Sequence, residues 1–126
     1  MAENIVEIGD ENFDEEVLQQ GLPVLVDFWA PWCGPCRSFA PTYEKVSEDH
    51  PDIIFAKVNT EDEREIAGHF QIRSIPTLMI FREKVIIFSQ PGALPEGGFR
   101  ELVEKAKELD MAEVHKMMED EKNANA

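Results

Sequence analysis

The chain has 126 residues, enough for one domain with a single buried core and short for two. Its apolar share of 43% is that of a globular protein, which excludes a wholly disordered chain. Twelve Lys and Arg against 26 Asp and Glu leave a formal net charge of -14, which repels phosphate backbones and makes nucleic acid a poor partner.

The opening MAENIVEIGDENFDEE has neither the basic segment nor the apolar run of a secretory signal. No stretch approaches the roughly 20 apolar residues that span a bilayer. A soluble, cytoplasmic protein with no membrane partner is therefore expected, in a compartment where thiols stay reduced. NIVEI reads as a short strand. DENFDEEVLQQG reads as a helix, with Phe13 and Val17 one turn apart and Gly21 placed to stop it. PVLVDFW is a strand, apolar except for Asp27. From Cys33 to about Asp49 the spacing of Phe39, Tyr43 and Val46 predicts a helix, which Pro41 should kink. DIIFAKVN is a strand of nearly continuous apolar residues, the pattern of a parallel strand covered on both faces. EDEREIAGHF is a short helix carrying Ile66 and Phe70. PTLMIF and VIIF, joined only by REK, must be an antiparallel hairpin. PGALPEGG breaks the pattern, and a further helix carries Phe99, Leu102, Val103 and Ala106 on one stripe.

This order predicts an α/β fold: a mixed five-stranded sheet, parallel in its first three strands and antiparallel in the hairpin, flanked by helices. Residues 1–109 form the domain. Residues 110–126 form a helical extension with a frayed NANA tail. Asp110 and Glu113 have the spacing of a helix cap and its return partner, and Met111, Val114, Met117 and Met118 form an apolar stripe. A stripe so short needs a surface to pack on, either the chain's own body or a basic partner.

The chain's two cysteines lie three apart in CGPC. Cys33 falls where a strand has ended and a helix begins. Unpaired N–H groups and the positive end of the helix dipole favour a thiolate there, so Cys33 is expected to be the more acidic and more exposed thiol. Cys36 is one turn on, at a Cα separation of roughly 5–6 Å that permits a disulfide. Pro35 stiffens the turn and Gly34 admits it. Cys33 can then attack a disulfide and Cys36 resolve the mixed species. Two other readings exist. Zinc needs four ligands, but there is no second such pair and His50, His69 and His115 are scattered. The cysteines could also be inert core residues. Asp27 and Lys57 are each the lone charge in an apolar strand, of opposite sign, on strands expected to be neighbours. The pattern alone fits a structural ion pair, an edge position facing water, or a carboxylate whose raised pKa suits proton exchange. Ile75-Pro76 alone reads as an ordinary trans turn.

VDFWAPWCGPC, SIPT at 74–77, Pro41 after the cysteines and PGAL at 91–94 together resemble the thioredoxin family over Asn4 to Lys107. Two features depart from the family: REK lacks the glycine common in that turn, and the chain runs about one helix past the usual end. The resemblance implies the thioredoxin fold and reduction of disulfides in diverse protein substrates. It implies that Asp27 lies beneath the cysteines and takes the proton of Cys36, with Lys57 as its charged neighbour. It implies a cis Pro76 against the disulfide and an Ile75 that offers its backbone to the substrate. Trp32, Gly34, Pro35, Ile75, Pro76, Gly92 and Ala93 would form the docking patch, with Trp29 packed beside it. The chain would need no cofactor and no metal. NADPH and FAD would act only through a partner thioredoxin reductase, and a monomer is expected. A disulfide oxidase or isomerase, or a non-catalytic binding subunit on the same fold, are the alternatives.

Overall fold

The computed structural model describes the backbone of residues 5–124. Asn4, at the start of the expected first strand, and the last two residues of the NANA tail lie outside the described residues. In chain order the elements are β1 (Ile5–Glu7), a π-helical turn (Asp14–Leu18), β2 (Val24–Trp29), α1 (Gly34–Glu48) and β3 (Ile54–Asn59). α2 (Arg64–His69), β4 (Thr77–Arg82), β5 (Val85–Pro91), α3 (Glu96–Glu108) and α4 (Met111–Ala124) follow.

The five strands form one sheet in the order β1-β3-β2-β4-β5. β1 and β2 both pair with β3 in parallel, β4 runs antiparallel to β2, and β5 antiparallel to β4. The expected split of parallel and antiparallel strands is the one observed. Alternation along the strands divides the core in two. Leu25, Phe55, Leu78 and Ile80 face α1 and α3, where they meet Phe39, Tyr43, Phe99 and Val103. Val24, Val26, Phe28, Val58, Met79 and Phe81 face the other side, under Val17 and Ile66. Both faces of β2 are thus covered, which is why its sequence lacks a polar alternation.

α1 starts where expected, with Cys33 as its N-cap and Gly34-Pro35 in the first turn. Proline fits there because the first-turn N–H groups have no partner in the helix. Pro41 lies inside α1, which nonetheless continues to Glu48. Four expectations need correction. The helix expected over 10–21 shrinks to one wide turn, closed by the Gln19 N–H donating to the Asp14 carbonyl at 3.0 Å. Only Val17 of this segment is buried, too little apolar surface to hold a longer helix against the body. The hairpin turn is Glu83-Lys84 alone, because Arg82 pairs with Val85. Both turn residues have positive φ, 53° and 68°. β5 extends through Ser89, Gln90 and Pro91, since an edge strand tolerates a proline that cannot donate on its outer side. α3 begins at Glu96, so Gly97 and Gly98 are helical. The packing of buried Phe99 and Val103 overrides their poor propensity.

The expected helix after Leu109 is present. Asp110 Oδ1 accepts the N–H groups of Ala112 and Glu113, at 3.0 and 3.3 Å. Asn123 and Ala124 belong to it, so half of the expected frayed tail is helical. The stripe splits: Met111 is buried and Val114 half-buried, while Met117 and Met118 are 65% and 48% exposed. The start of α4 therefore packs on the body and its later turns leave it. Arg82 Nη1 donates to the carbonyls of Ala106 and Leu109 at 3.1 and 2.7 Å, and His115 Nε2 lies 2.9 Å from Glu83 Oε1. The hairpin tip thus holds the corner between α3 and α4.

Candidate functional site

Cys33 and Cys36 form a disulfide across the first turn of α1, with Cα atoms 5.2 Å apart. Cys33 Sγ accepts the Cys36 N–H at 3.2 Å. A sulfur placed to accept a first-turn N–H is also placed to be stabilised as a thiolate. The exposures are 4% for Cys33 and 3% for Cys36, so the expected contrast in exposure is absent from the oxidised pair. The sulfurs pack with Ala30, Trp29 and Ile75. What distinguishes them is the helix end, since only Cys33 is the cap.

The Ile75-Pro76 bond is cis. The Ile75 carbonyl oxygen lies 3.7 Å from Cys33 Sγ. The Pro76 carbonyl accepts the Gly92 N–H at 2.7 Å, which joins the loop after β5 to the same region. Gly92 has φ 99°, a conformation that side chains other than hydrogen rarely adopt. Gly34, Pro35 and Ala93 are exposed, Ile75 is half-buried and Pro76 is buried. Trp32 is 64% exposed, and its indole N–H donates to Glu61 Oε1 at 2.6 Å. A rim of apolar surface thus surrounds two buried sulfurs. Pro41, on the exposed side of α1, touches none of this in the described contacts.

Asp27 shares its face of β2 with Leu25, the face covered by α1. It is wholly buried, and neither carboxylate oxygen has a hydrogen-bond partner. Burial lifts its pKa from 3.8 to about 7, while the Lys57 charge pulls it back. Lys57 is directly opposite in the register, but no direct bond joins the two. Its ammonium instead sits over the Trp29 ring, 4.9 Å from the centroid. The structural ion pair, one of the three readings the pattern allowed, is not formed: the cation is held on an aromatic face and acts on Asp27 through its field.

Three contacts escaped the sequence. Glu61, partner of Trp32, lies 29 residues away and carries no local signal. Tyr43 reads as a plain core position, yet its hydroxyl reaches the carbonyls of Ala56 and Leu25 at 2.6 and 3.0 Å, bridging β3 and β2. Burial, with the Asp27 charge adding to it, raises the phenol's pKa well above its usual value. Arg82 holds the end of α3 from the far end of the sheet. Among the described residues, no three His, Cys, Asp or Glu side chains are grouped so as to hold a metal ion. No helix among them is long and apolar enough to cross a membrane.

The family model described as Thioredoxin matches residues 4–117. The chain is 54% identical over 111 residues to a putative thioredoxin 2 of Streptomyces coelicolor, covering 88% of this chain and 82% of that one. It is 46% identical over 90 residues to thioredoxin 1 of Synechococcus elongatus, covering 71% and 84% of the two chains. A chloroplastic M-type thioredoxin of Chlamydomonas reinhardtii is 40% identical over 99 residues, 78% of this chain and 71% of that one. With the fold, the capping Cys33 and its partner Cys36 in place, the chain belongs to the thioredoxin family and is a thiol–disulfide oxidoreductase.

Proposed function

We propose that the protein reduces disulfides in other proteins through a dithiol cycle in which Cys33 attacks, Cys36 resolves and Asp27 moves the proton. The observation that carries this reading is the placement of Cys33 as the N-cap of α1, its sulfur 3.2 Å from the Cys36 N–H. The Cys33 thiolate attacks one sulfur of a substrate disulfide. A mixed disulfide forms, and the other substrate sulfur leaves as a thiolate. Asp27, ionised, takes the Cys36 proton, and the new thiolate attacks Cys33 Sγ. The Cys33–Cys36 disulfide closes, the second substrate thiol departs, and two electrons have passed to the substrate. A carboxyl with a pKa of about 7 is suited to this task, since it holds and releases a proton near neutrality. Lys57 keeps that value from rising further.

Trp32, Gly34, Pro35, Ile75, Pro76, Gly92 and Ala93 receive the substrate chain, and the Ile75 backbone pairs with it. A thioredoxin reductase, passing electrons from NADPH through FAD, restores the dithiol; the chain itself carries no cofactor. Such a reductant belongs in the cytoplasm, where thiols stay reduced. Reduction of insulin disulfides with dithiothreitol as electron source tests the activity. Cys33→Ser should abolish it, and Cys36→Ser should stall as an isolable mixed disulfide. Capture of substrate by Cys36 in the Cys33→Ser variant, faster than by Cys33 in the Cys36→Ser variant, would reverse the two roles.

A further inference from the structure

Between β5 and α3 lies a groove that the reaction cycle does not use. It has a volume of about 460 Å³. Ile80, Ile87 and Phe88 of the sheet form its floor, Leu94 and Leu102 its walls, and Leu109 its far end. It exists because β5 is an edge strand that α3 covers incompletely, and because Gly98 of α3 faces it without a side chain. A Cβ built on Gly98 meets nothing within 4 Å. We propose that this groove takes an extended, apolar stretch of the substrate polypeptide next to the cysteine under attack.

The proposal rests on the protein-disulfide reductase reading above and adds to it what the substrate must look like. Position is the first argument. Leu94 follows Gly92 and Ala93 directly, and Gly92 is bonded to the Pro76 carbonyl, one residue from the Ile75 carbonyl that faces Cys33 Sγ. A chain lying across the disulfide therefore meets the mouth of the groove within a few residues. Polarity is the second. The charged rim residues Glu101 and Lys105 pair with each other at 3.1 Å, which leaves no net charge to select an ionic ligand. Shape is the third. Among the described residues no strand pairs with the outer edge of β5, whose peptide groups suit an extended backbone, and every second side chain of such a segment can enter the groove.

Gly98→Leu fills the groove without touching the residues that handle sulfur or proton. Its substrate range is read with two disulfides: an unfolded disulfide-bonded polypeptide with leucine and valine beside the cysteines, and the small 5,5′-dithiobis(2-nitrobenzoate). The expected result is a KM for the polypeptide raised at least about tenfold, the loss of one well-buried apolar side chain, with the small disulfide reduced at the wild-type rate. Leu102→Asn, which keeps the space and makes its wall polar, should act in the same direction. Wild-type polypeptide KM in both variants overturns the proposal alone. A wild-type protein that reduces neither disulfide overturns the reductase reading and this proposal with it. A dimer in sedimentation that Gly98→Leu dissolves, or an apolar dye that it expels, with polypeptide KM unchanged, gives the groove to another occupant and overturns the proposal.

Discussion

Asp27 is a wholly buried carboxyl without a hydrogen bond, and its ionised form is correspondingly expensive. Its pKa is about 7 in the folded protein against 3.8 for an unperturbed group. Between those values the folded chain holds a proton that the unfolded chain has released. Stability from this group is therefore greatest below about pH 4, falls as the pH rises, and levels off above about pH 7. The full span is on the order of 4 kcal/mol. Asp27→Asn should remove this slope. Urea denaturation should show a gain of a few kcal/mol at about pH 8 and almost none near pH 4. Lys57 does not become an orphan in the variant, since its ammonium keeps the Trp29 face. An equal gain at both pH values would mean that the effect is packing rather than charge. Kinetically, the same variant should slow turnover most at and above neutral pH, where the wild-type carboxylate is ionised; a flat ratio from pH 6 to 9 would remove Asp27 from proton transfer.

Among the elements, the β4–β5 turn carries strain. Glu83 and Lys84 both have positive φ, the geometry of a two-residue hairpin turn that asparagine and glycine favour. Lys84→Gly should stabilise the protein by about 1 kcal/mol in chemical denaturation, with activity unchanged. A loss of stability would mean that the lysine side chain matters more than its backbone angle. α4 gives a second test. Met111 is buried and His115 meets Glu83, so truncation after Leu109 should lower stability by about 2 kcal/mol while insulin reduction continues. Unaltered melting would mean that the docking of α4 is not stabilising. Elements whose signals are local were legible beforehand. The apolar spacing of Phe39, Tyr43 and Val46, with a cap and proline in front, located α1 to within a residue at either end. The Phe13–Val17 spacing, the proline of β5 and the glycines of α3 misled because packing or edge position, not local pattern, decided there. In the site, the CGPC spacing was readable because it lies within one helical turn. The Trp32–Glu61 bond and the turn of Lys57 toward Trp29 depend on distant segments meeting, which no periodicity encodes.

At the scale of the molecule, 26 acids face 12 Lys and Arg. The surface pairs Lys45–Glu96, Arg100–Asp49 and Lys107–Asp52 are solvent-screened and each adds little. They leave an excess of 14 negative charges whose mutual repulsion acts over the whole surface. The Debye length falls from about 30 Å at 0.01 M salt to about 3 Å at 1 M, so salt screens the repulsion more than it weakens the few close pairs. The melting temperature should rise between low salt and about 0.5 M sodium chloride. A fall would show that the paired charges outweigh the unpaired ones.

The strand order bears on how the chain comes off the ribosome. β1 is made first but pairs only with β3, and β2, second in the chain, is completed on its other side by β4. A nascent chain ending near residue 70 has made β1, β2 and β3, yet the long apolar edge of VLVDFW still lacks its partner. Unpaired edges of that kind recruit other strands. At that length the two thiols have also been made, while Ile75, which covers Cys33 in the finished protein, has yet to be synthesised. Both hazards end when the same short segment, residues 75–82, arrives: it closes the sheet and covers the sulfur in one step. Premature stop between those points should therefore yield polypeptides that clump and cross-link through sulfur, rather than small inactive fragments.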